Sequence, residues 1–281
     1  MLLDTLEVIL TFNQPTVNYL TDHLRKFPMA FVRKGGTLFI HRQLCQDGLP
    51  DPLQDIFARC AMDIHHSNAN RHIISRAISG TASHLIQSIP PTHAFISKLA
   101  FVQSLILLQI MILFCPTVDQ ALRQQAKRRM PLLQVWAVKL FDSVPKYLPA
   151  SMSPRQAWVL AESCLRMIHI CHMVSGLYGM LKFGCFVLTL FVEALPLNRN
   201  GHLWDDNLYF NQKVPETDPS SPRLDETDLV SYRELTDLSE EGQFRQLALF
   251  EEMLLAASKG IGSVTQGTHA MYSQQVSVHE L

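Results

Sequence analysis

Apolar residues recur at helical spacing through most of the chain. Leu53, Ile56, Phe57, Cys60, Ala61 and Ile64 fall on one face of a helix, and Gln54, Asp55, Arg59 and Asp63 on the other. That pattern predicts an amphipathic helix with one buried side. Ile74, Ile78, Thr81 and Leu85 continue it after residues 68–70, so a second helix should pack back on the first. Pro90 and Pro91 end this helix, and Thr92 is placed to cap the next. Residues 94–114 are apolar on almost every side, with Gln103, Ser104 and Gln109 as the polar exceptions. A helix apolar all round belongs in the middle of a helical domain. Pro116 closes it. Residues 118–144 start polar and are interrupted by Pro131, where a kink or a fresh start is expected. Leu133, Trp136, Ala137, Leu140 and Phe141 then resume the apolar stripe. Ser153, Pro154 and Gln156 read as cap, first helical position and capping-box amide. A long helix should follow through Cys164, Ile168, Cys171 and Val174 to about Met180.

β-signals are few, residues 7–12 and 37–40 being the best. No strands alternate with helices, which argues against a parallel α/β sheet. The fold class expected is all-α: a single large multi-helix domain over residues 1–200, then an acidic flexible segment at 201–241. Prolines and acids replace the helical period in that segment, and residues 215–222 read as a connector. A C-terminal amphipathic helix is expected within 242–260, carrying Phe244, Leu247, Leu254 and Ala257 on one side, before a disordered tail at 261–281.

The bulk numbers agree with a large buried core. Of 281 residues, 47% are hydrophobic and 17% charged, against the usual quarter charged. The formal net charge of -1 argues against a chain-wide attraction to nucleic acid. It conceals an asymmetry. Residues 1–150 carry 15 Lys and Arg against 9 Asp and Glu, and residues 151–281 carry 9 against 16. The six cysteines sit mostly inside apolar helical runs. Asp4 follows Met1-Leu2-Leu3 at once, so no signal peptide is expected, and no Asn-x-Ser/Thr site occurs. Reduced, intracellular thiols follow. Residues 99–115 and 171–192 are apolar enough to raise a membrane reading, but the first is short and holds two amides, and the second is broken by Lys182, His172 and three glycines. Buried helices and no membrane association are expected.

Candidate chemistry is sparse. His169 and His172 lie one turn apart near Cys164 and Cys171, and His65 and His66 end the first strong helix. No Cys-x-x-Cys, His-Glu-x-x-His, Gly-x-Ser-x-Gly or phosphate-loop pattern occurs. No catalytic, cofactor-binding or metal-binding residues are therefore expected. Arg123, Lys127, Arg128 and Arg129 form the densest basic run, open either as a nuclear import signal or phosphate contact, or as a solvated helix face. Residues 224–230 and 235–241 alternate acids with apolar residues, as activation segments and acidic surface loops both do.

One stretch is more specific. Phe31-Val32-Arg33-Lys34-Gly35-Gly36-Thr37-Leu38-Phe39-Ile40-His41 reads as an extended segment entering and leaving a Gly-Gly turn. Gly48-Leu49-Pro50-Asp51-Pro52-Leu53-Gln54-Asp55 follows, with Asp51 as cap, Pro52 at the first helical position and Gln54 reaching back. Together with Ala69-Asn70-Arg71, Arg129-Met130-Pro131-Leu132-Leu133, and Trp158-Val159-Leu160-Ala161-Glu162-Ser163 with Arg166, this order resembles the regulatory region of fungal zinc-binuclear-cluster transcription factors of secondary-metabolite gene clusters. The likeness covers about residues 5–197.

The resemblance implies a nuclear transcription regulator and not an enzyme. It implies a protein partner, either a DNA-binding relative or the transcription machinery, with dimerisation and a small-molecule effector in an apolar pocket as further implied properties. The family reads DNA through six clustered cysteines holding two zinc ions, and that cluster is lacking here. Direct sequence-specific DNA binding is therefore not expected. Two forms stay open: an accessory regulator without a finger, or a chain whose finger is encoded upstream of Met1. The alternative of another class is an all-helical biosynthetic enzyme, for example one acting on an isoprenoid, for which Asp63 and Asp119 would be the isolated candidate acids.

Overall fold

Helical periodicity becomes helices. The computed structural model describes residues 7–45, 48–65, 67, 69–87, 95–115, 118–144, 152–199, 201–205, 229–240 and 247–264. Its elements are β1 (Glu7–Leu10), α1 (Gln14–Lys34), α2 (Asp51–Ile64), α3 (Arg71–Gln87), α4 (Phe95–Leu113), α5 (Gln120–Asp142), α6 (Pro154–Phe183), β2 (Phe186–Thr189), α7 (Leu190–Glu193), β3 (Pro196–Asn198), β4 (Leu229–Ser231), α8 (Tyr232–Glu240) and α9 (Leu249–Lys259). The fold is all-α, with four short strands in two antiparallel pairs among the described residues. The chain separates into two compact units, Thr21–Tyr178 and the combination of Met1–Leu20 with Gly179–Leu281.

In the unit Thr21–Tyr178, α4 lies at the centre, packed on α2, α3 and α5. Every residue from Leu99 to Leu113 is buried. The helix is long and apolar enough to cross a membrane, but 83% of its apolar window is buried inside the protein, which makes it a core helix. Its polar exceptions donate to main-chain carbonyls, and the Gln109 Oε1 is left buried without a partner. Gln103 Nε2 donates to the Phe39 carbonyl at 2.8 Å, and Gln109 Nε2 to the Ala126 carbonyl of α5 at 3.3 Å. Ser104 bonds back to Ala100 within the helix. T-shaped ring pairs join Phe31 to Phe57 and Phe101 to Trp136.

α1 is a helix that the sequence patterns above do not predict. Its signal is present: Val17, Leu20, Leu24, Phe27 and Phe31 are spaced by threes and fours, and all are buried. Asn13 caps it, its Oδ1 accepting the Thr16 amide at 3.0 Å. Phe31 to Lys34 are thus the last turn of a helix and not an extended segment. Residues 37–40 form a turn, in which the Thr37 amide donates to the Ile40 carbonyl at 2.8 Å, and not a strand.

α5 runs unbroken through Pro131. Proline removes the donor for the Lys127 carbonyl, and both residues are solvent-exposed, so water can take that bond. At α2 the N-cap is Pro50, without a side-chain cap; Asp51 supplies charge to the first turn, and Gln54 reaches the Leu49 carbonyl. α6 has the reciprocal capping box expected, Ser153 to the Gln156 amide and Gln156 back to the Ser153 amide.

In the other unit, β1 pairs with β2 from Glu7 opposite Thr189 to Leu10 opposite Phe186. β3 pairs with β4. Residues 229–240, inside the stretch read as an acidic segment, form β4 and α8. Ser231 and Glu234 make a capping box there. Tyr232 and Leu235 are buried, and Tyr232 donates its hydroxyl to the Leu254 carbonyl of α9 at 2.6 Å. α9 begins at Leu249 and buries Phe250, Met253, Leu254 and Ala257. The connector at 215–222, the end-of-chain stretch beyond 264, Thr92, and the proline pair at 90 and 91 lie outside the described residues.

Candidate functional site

The residues singled out around Gly35 and along α6 meet in one buried polar cluster within the unit Thr21–Tyr178. The chain leaves α1 through Gly35, at φ +69°, which is the left-handed conformation that glycine adopts without strain. The Gly35 amide closes on the Phe31 carbonyl at 3.0 Å. Gly36 has no room for a side chain: an added Cβ would sit 2.7 Å from the Ile40 carbonyl oxygen. Thr37 then organises the turn, its hydroxyl accepting the amides of Phe39 and Ile40 at 3.2 and 3.0 Å. Phe39 is driven inward, where its ring meets Phe27 edge-on at 5.6 Å.

Two side chains hold this turn from other helices, and a third positions one of them. Gln103 of α4 donates to the Phe39 carbonyl. Arg166 of α6 reaches the Leu38 carbonyl with Nη1 at 3.5 Å. Its Nε binds Glu162 Oε1 at 2.6 Å, one helical turn away, and both partners are buried, at 1% and 3% exposure. Among the described residues the second oxygen of Glu162 has no hydrogen-bond partner. At the end of the turn His41 is buried and accepts the Gln43 amide on Nδ1 at 3.2 Å. Arg155 Nη2 lies 3.5 Å from the ring Nε2 on the other side, so a neutral imidazole can accept from only one of these two donors, and its tautomer sets which. The Arg155 guanidinium lies over the Trp158 ring, 4.9 Å from its centroid.

The other echoed motifs also resolve into structural roles. Asn70 closes the turn between α2 and α3, donating to the His65 carbonyl and accepting the Ser67 amide, each at 2.8 Å. Leu133 is buried on α5, and burial lowers the pKa of Arg129. Arg123 is tied to the Cys115 carbonyl at 2.6 Å. Of the basic run, Lys127 and Arg128 are left exposed.

The remaining candidates do not assemble. Among the described residues no group of three or more His, Cys, Asp or Glu side chains is placed to hold a metal ion. Asp119 caps α5, taking the Leu122 amide on one oxygen and the Ser75 hydroxyl on the other, at 2.8 and 2.7 Å. None of the six cysteines is in a disulfide. Burial pushes the Cys45 thiol up to about 11 and those of Cys60 and Cys164 to about 12, and raises Cys171 as well, which keeps them protonated and unreactive. His169 is buried, and burial lowers the pKa of His172. A cleft of about 120 Å³ in the other unit is lined by Leu10, Leu188, Glu193, Tyr232, Arg233 and Lys259, among others. Ordinary ligand pockets start at about 300 Å³.

A relative from Penicillium aethiopicum, named transcription factor gsfR2, is 33% identical to this chain over 187 residues. The match takes in 62% of this chain and 45% of the relative, so the chain spans under half of that protein's length. No family model matches the chain. No solved structure matches it either.

Proposed function

We propose that this chain is the helical regulatory part of a fungal transcription regulator that controls a secondary-metabolite gene cluster. It acts in the nucleus through a protein partner, a DNA-binding relative or the transcription machinery, and it is not an enzyme. The observation that carries this reading is the likeness to a transcription factor over 62% of the chain. The buried polar cluster is consistent with it: Gly35, Gly36, Thr37, Glu162 and Arg166, which belong to the stretches that carry the resemblance to fungal zinc-binuclear-cluster regulators, fix the turn at residues 35–41.

DNA readout is assigned to the partner on physical grounds. Sequence is read by an element placed in a groove, whereas phosphate contacts only position. Of the densest basic run, Arg123 is engaged by a backbone carbonyl and Arg129 is half-buried. Two exposed cations give at most weak, salt-sensitive attraction.

The test is deletion of the gene in its host, with transcripts of neighbouring biosynthetic genes measured against the genome background. A selective fall or rise of one gene cluster, restored by re-introducing the chain, is the expected result. An unchanged transcript profile under conditions in which the gene is expressed would sink the reading.

A further inference from the structure

We propose that the outward face at the C-terminal end of α1 holds the phosphate backbone of duplex DNA without reading its sequence. The face stands on exposure and charge, independently of the regulatory reading.

Residues 23–46 contain five cations, Arg25, Lys26, Arg33, Lys34 and Arg42, and no Asp or Glu. All five are exposed. Within α1 the helical repeat sorts them. Leu24, Phe27 and Phe31 are buried and set the core face. The repeat puts Asp22, Arg25, Lys26, Met29 and Arg33 on the opposite side, and each is exposed. Lys34 closes the last turn. This end of the helix is fixed. The Gly35 amide returns to the Phe31 carbonyl at 3.0 Å, and the turn beyond it is clamped by Gln103 and Arg166. The cations therefore project from backbone that needs no ordering on contact.

One of them is already engaged. Arg25 donates through Nε to the Phe114 carbonyl at 2.6 Å, and its Nη1 lies 3.6 Å from Asp22. Lys26, Arg33 and Lys34 have no ion pair among the described residues. From Lys26 to Lys34 the helix rises about 12 Å. Duplex DNA presents about seven phosphate charges over that length, enough for each cation to meet one.

The make-up of the face chooses the occupant. An acidic amphipathic segment docks by laying apolar residues into an apolar groove. Among the described residues of this stretch, Met29 alone is a large apolar side chain standing in solvent, at 39% exposure. Phosphates ask for cations and no groove, and such contacts position a protein on the duplex without specifying sequence. Three phosphate contacts give a slope of about -2.7 in log affinity against log salt, a weakening of about 40-fold between about 50 and 200 mM.

The test titrates the purified full chain into a labelled mixed-sequence duplex of about 20 base pairs and reads fluorescence anisotropy over that salt range. The wild type should bind duplexes of different sequence alike, with the slope given above. Lys26→Gln, Arg33→Gln and Lys34→Gln should each flatten the slope by about 0.9, and the triple variant should lose binding. All should unfold thermally like the wild type, because the three positions are exposed. A wild type that does not bind at the lowest salt, or binds with a slope flatter than about -1, overturns the proposal. So does a triple variant that binds like the wild type. Loss of binding in Lys127→Gln with Arg128→Gln, while the α1 triple binds normally, moves the contact to α5 and overturns it. Polyglutamate that binds more tightly than the duplex, and is lost in the triple variant, gives the face to an acidic protein segment and also overturns it.

Discussion

Replacing Arg166 by Ala strands the Glu162 carboxylate in the core. The two groups are in contact at 2.6 Å and almost wholly out of water, at 1% and 3% exposure. With charge centres about 4 Å apart and an effective dielectric of about 20, their attraction is about 4 kcal/mol. Each ion also gave up hydration worth several kcal/mol to reach this position, so the intact pair is close to neutral compared with an apolar pair of the same volume. The single replacement removes the attraction, keeps the burial of Glu162, and takes a donor away from the Leu38 carbonyl. The expected loss is about 3–5 kcal/mol, a large share of the roughly 5–15 kcal/mol that holds a typical domain. Urea unfolding of the wild type, Arg166→Ala and the double variant Glu162→Leu with Arg166→Met measures it. The double variant should lie within about 2 kcal/mol of the wild type, since no charge is left unpaired. A cost below about 1 kcal/mol for Arg166→Ala, or a double variant as unstable as the single, would refute the view that an unpaired buried charge is what the clamp avoids.

Leu107→Asp should abolish cooperative unfolding, because Leu107 is fully buried in α4 and an unpaired buried carboxylate costs several kcal/mol; a thermal transition unchanged from wild type would count against the core position of that helix. Gly36→Ala should lower the urea midpoint by the equivalent of about 1–3 kcal/mol, since the Ile40 carbonyl 2.7 Å from the new Cβ must move and the Thr37 turn with it; an unchanged midpoint would show the turn to be loose. Burial lowers the pKa of His172, so the unfolded chain binds its proton first as pH falls through about 6.5, and stability is lost below that pH. His172→Gln should flatten the stability–pH curve just below about pH 6.5; an unchanged slope would assign that loss to other groups.

Much of the helical body is legible in the sequence, because α2, α3, α4 and α6 carry either a stripe or an unbroken apolar run bounded by caps and prolines. α1 has an equally regular stripe, but Pro28 within it and the following glycine pair suggest interruption; the helix tolerates the proline and ends only at Lys34. Pro131 misleads in the same way, since a proline whose orphaned carbonyl faces water breaks no buried bond. α8 is hidden by its acids. Ser231 and Glu234 spell a capping box, and Tyr232 and Leu235 give it a buried face, yet the composition around them reads as a flexible segment. The clamp leaves the faintest trace of all. Arg166 and Gln103 bind main-chain carbonyls at residues 38 and 39, and a carbonyl is present at every position in the chain. Glu162 one turn before Arg166 marks an ion pair, but nothing local marks it as buried or names the turn it serves.

Recognition of a turn through its carbonyls has a consequence for how such chains diverge. The identity of residue 38 does not enter the Arg166 contact, so that position is free to drift as long as its side chain fits. Glycine at 35 and 36, threonine at 37, glutamine at 103, glutamate at 162 and arginine at 166 have no such freedom, because each contributes a conformation or a group that its neighbours require. Distant kin should therefore keep this discontinuous set, with the intervals between its members stretching where loops lengthen, after the apolar stripes have been rewritten by other apolar residues. The ancestry of the fold would then be traced by six scattered letters, well after any continuous run of the sequence has become unrecognisable.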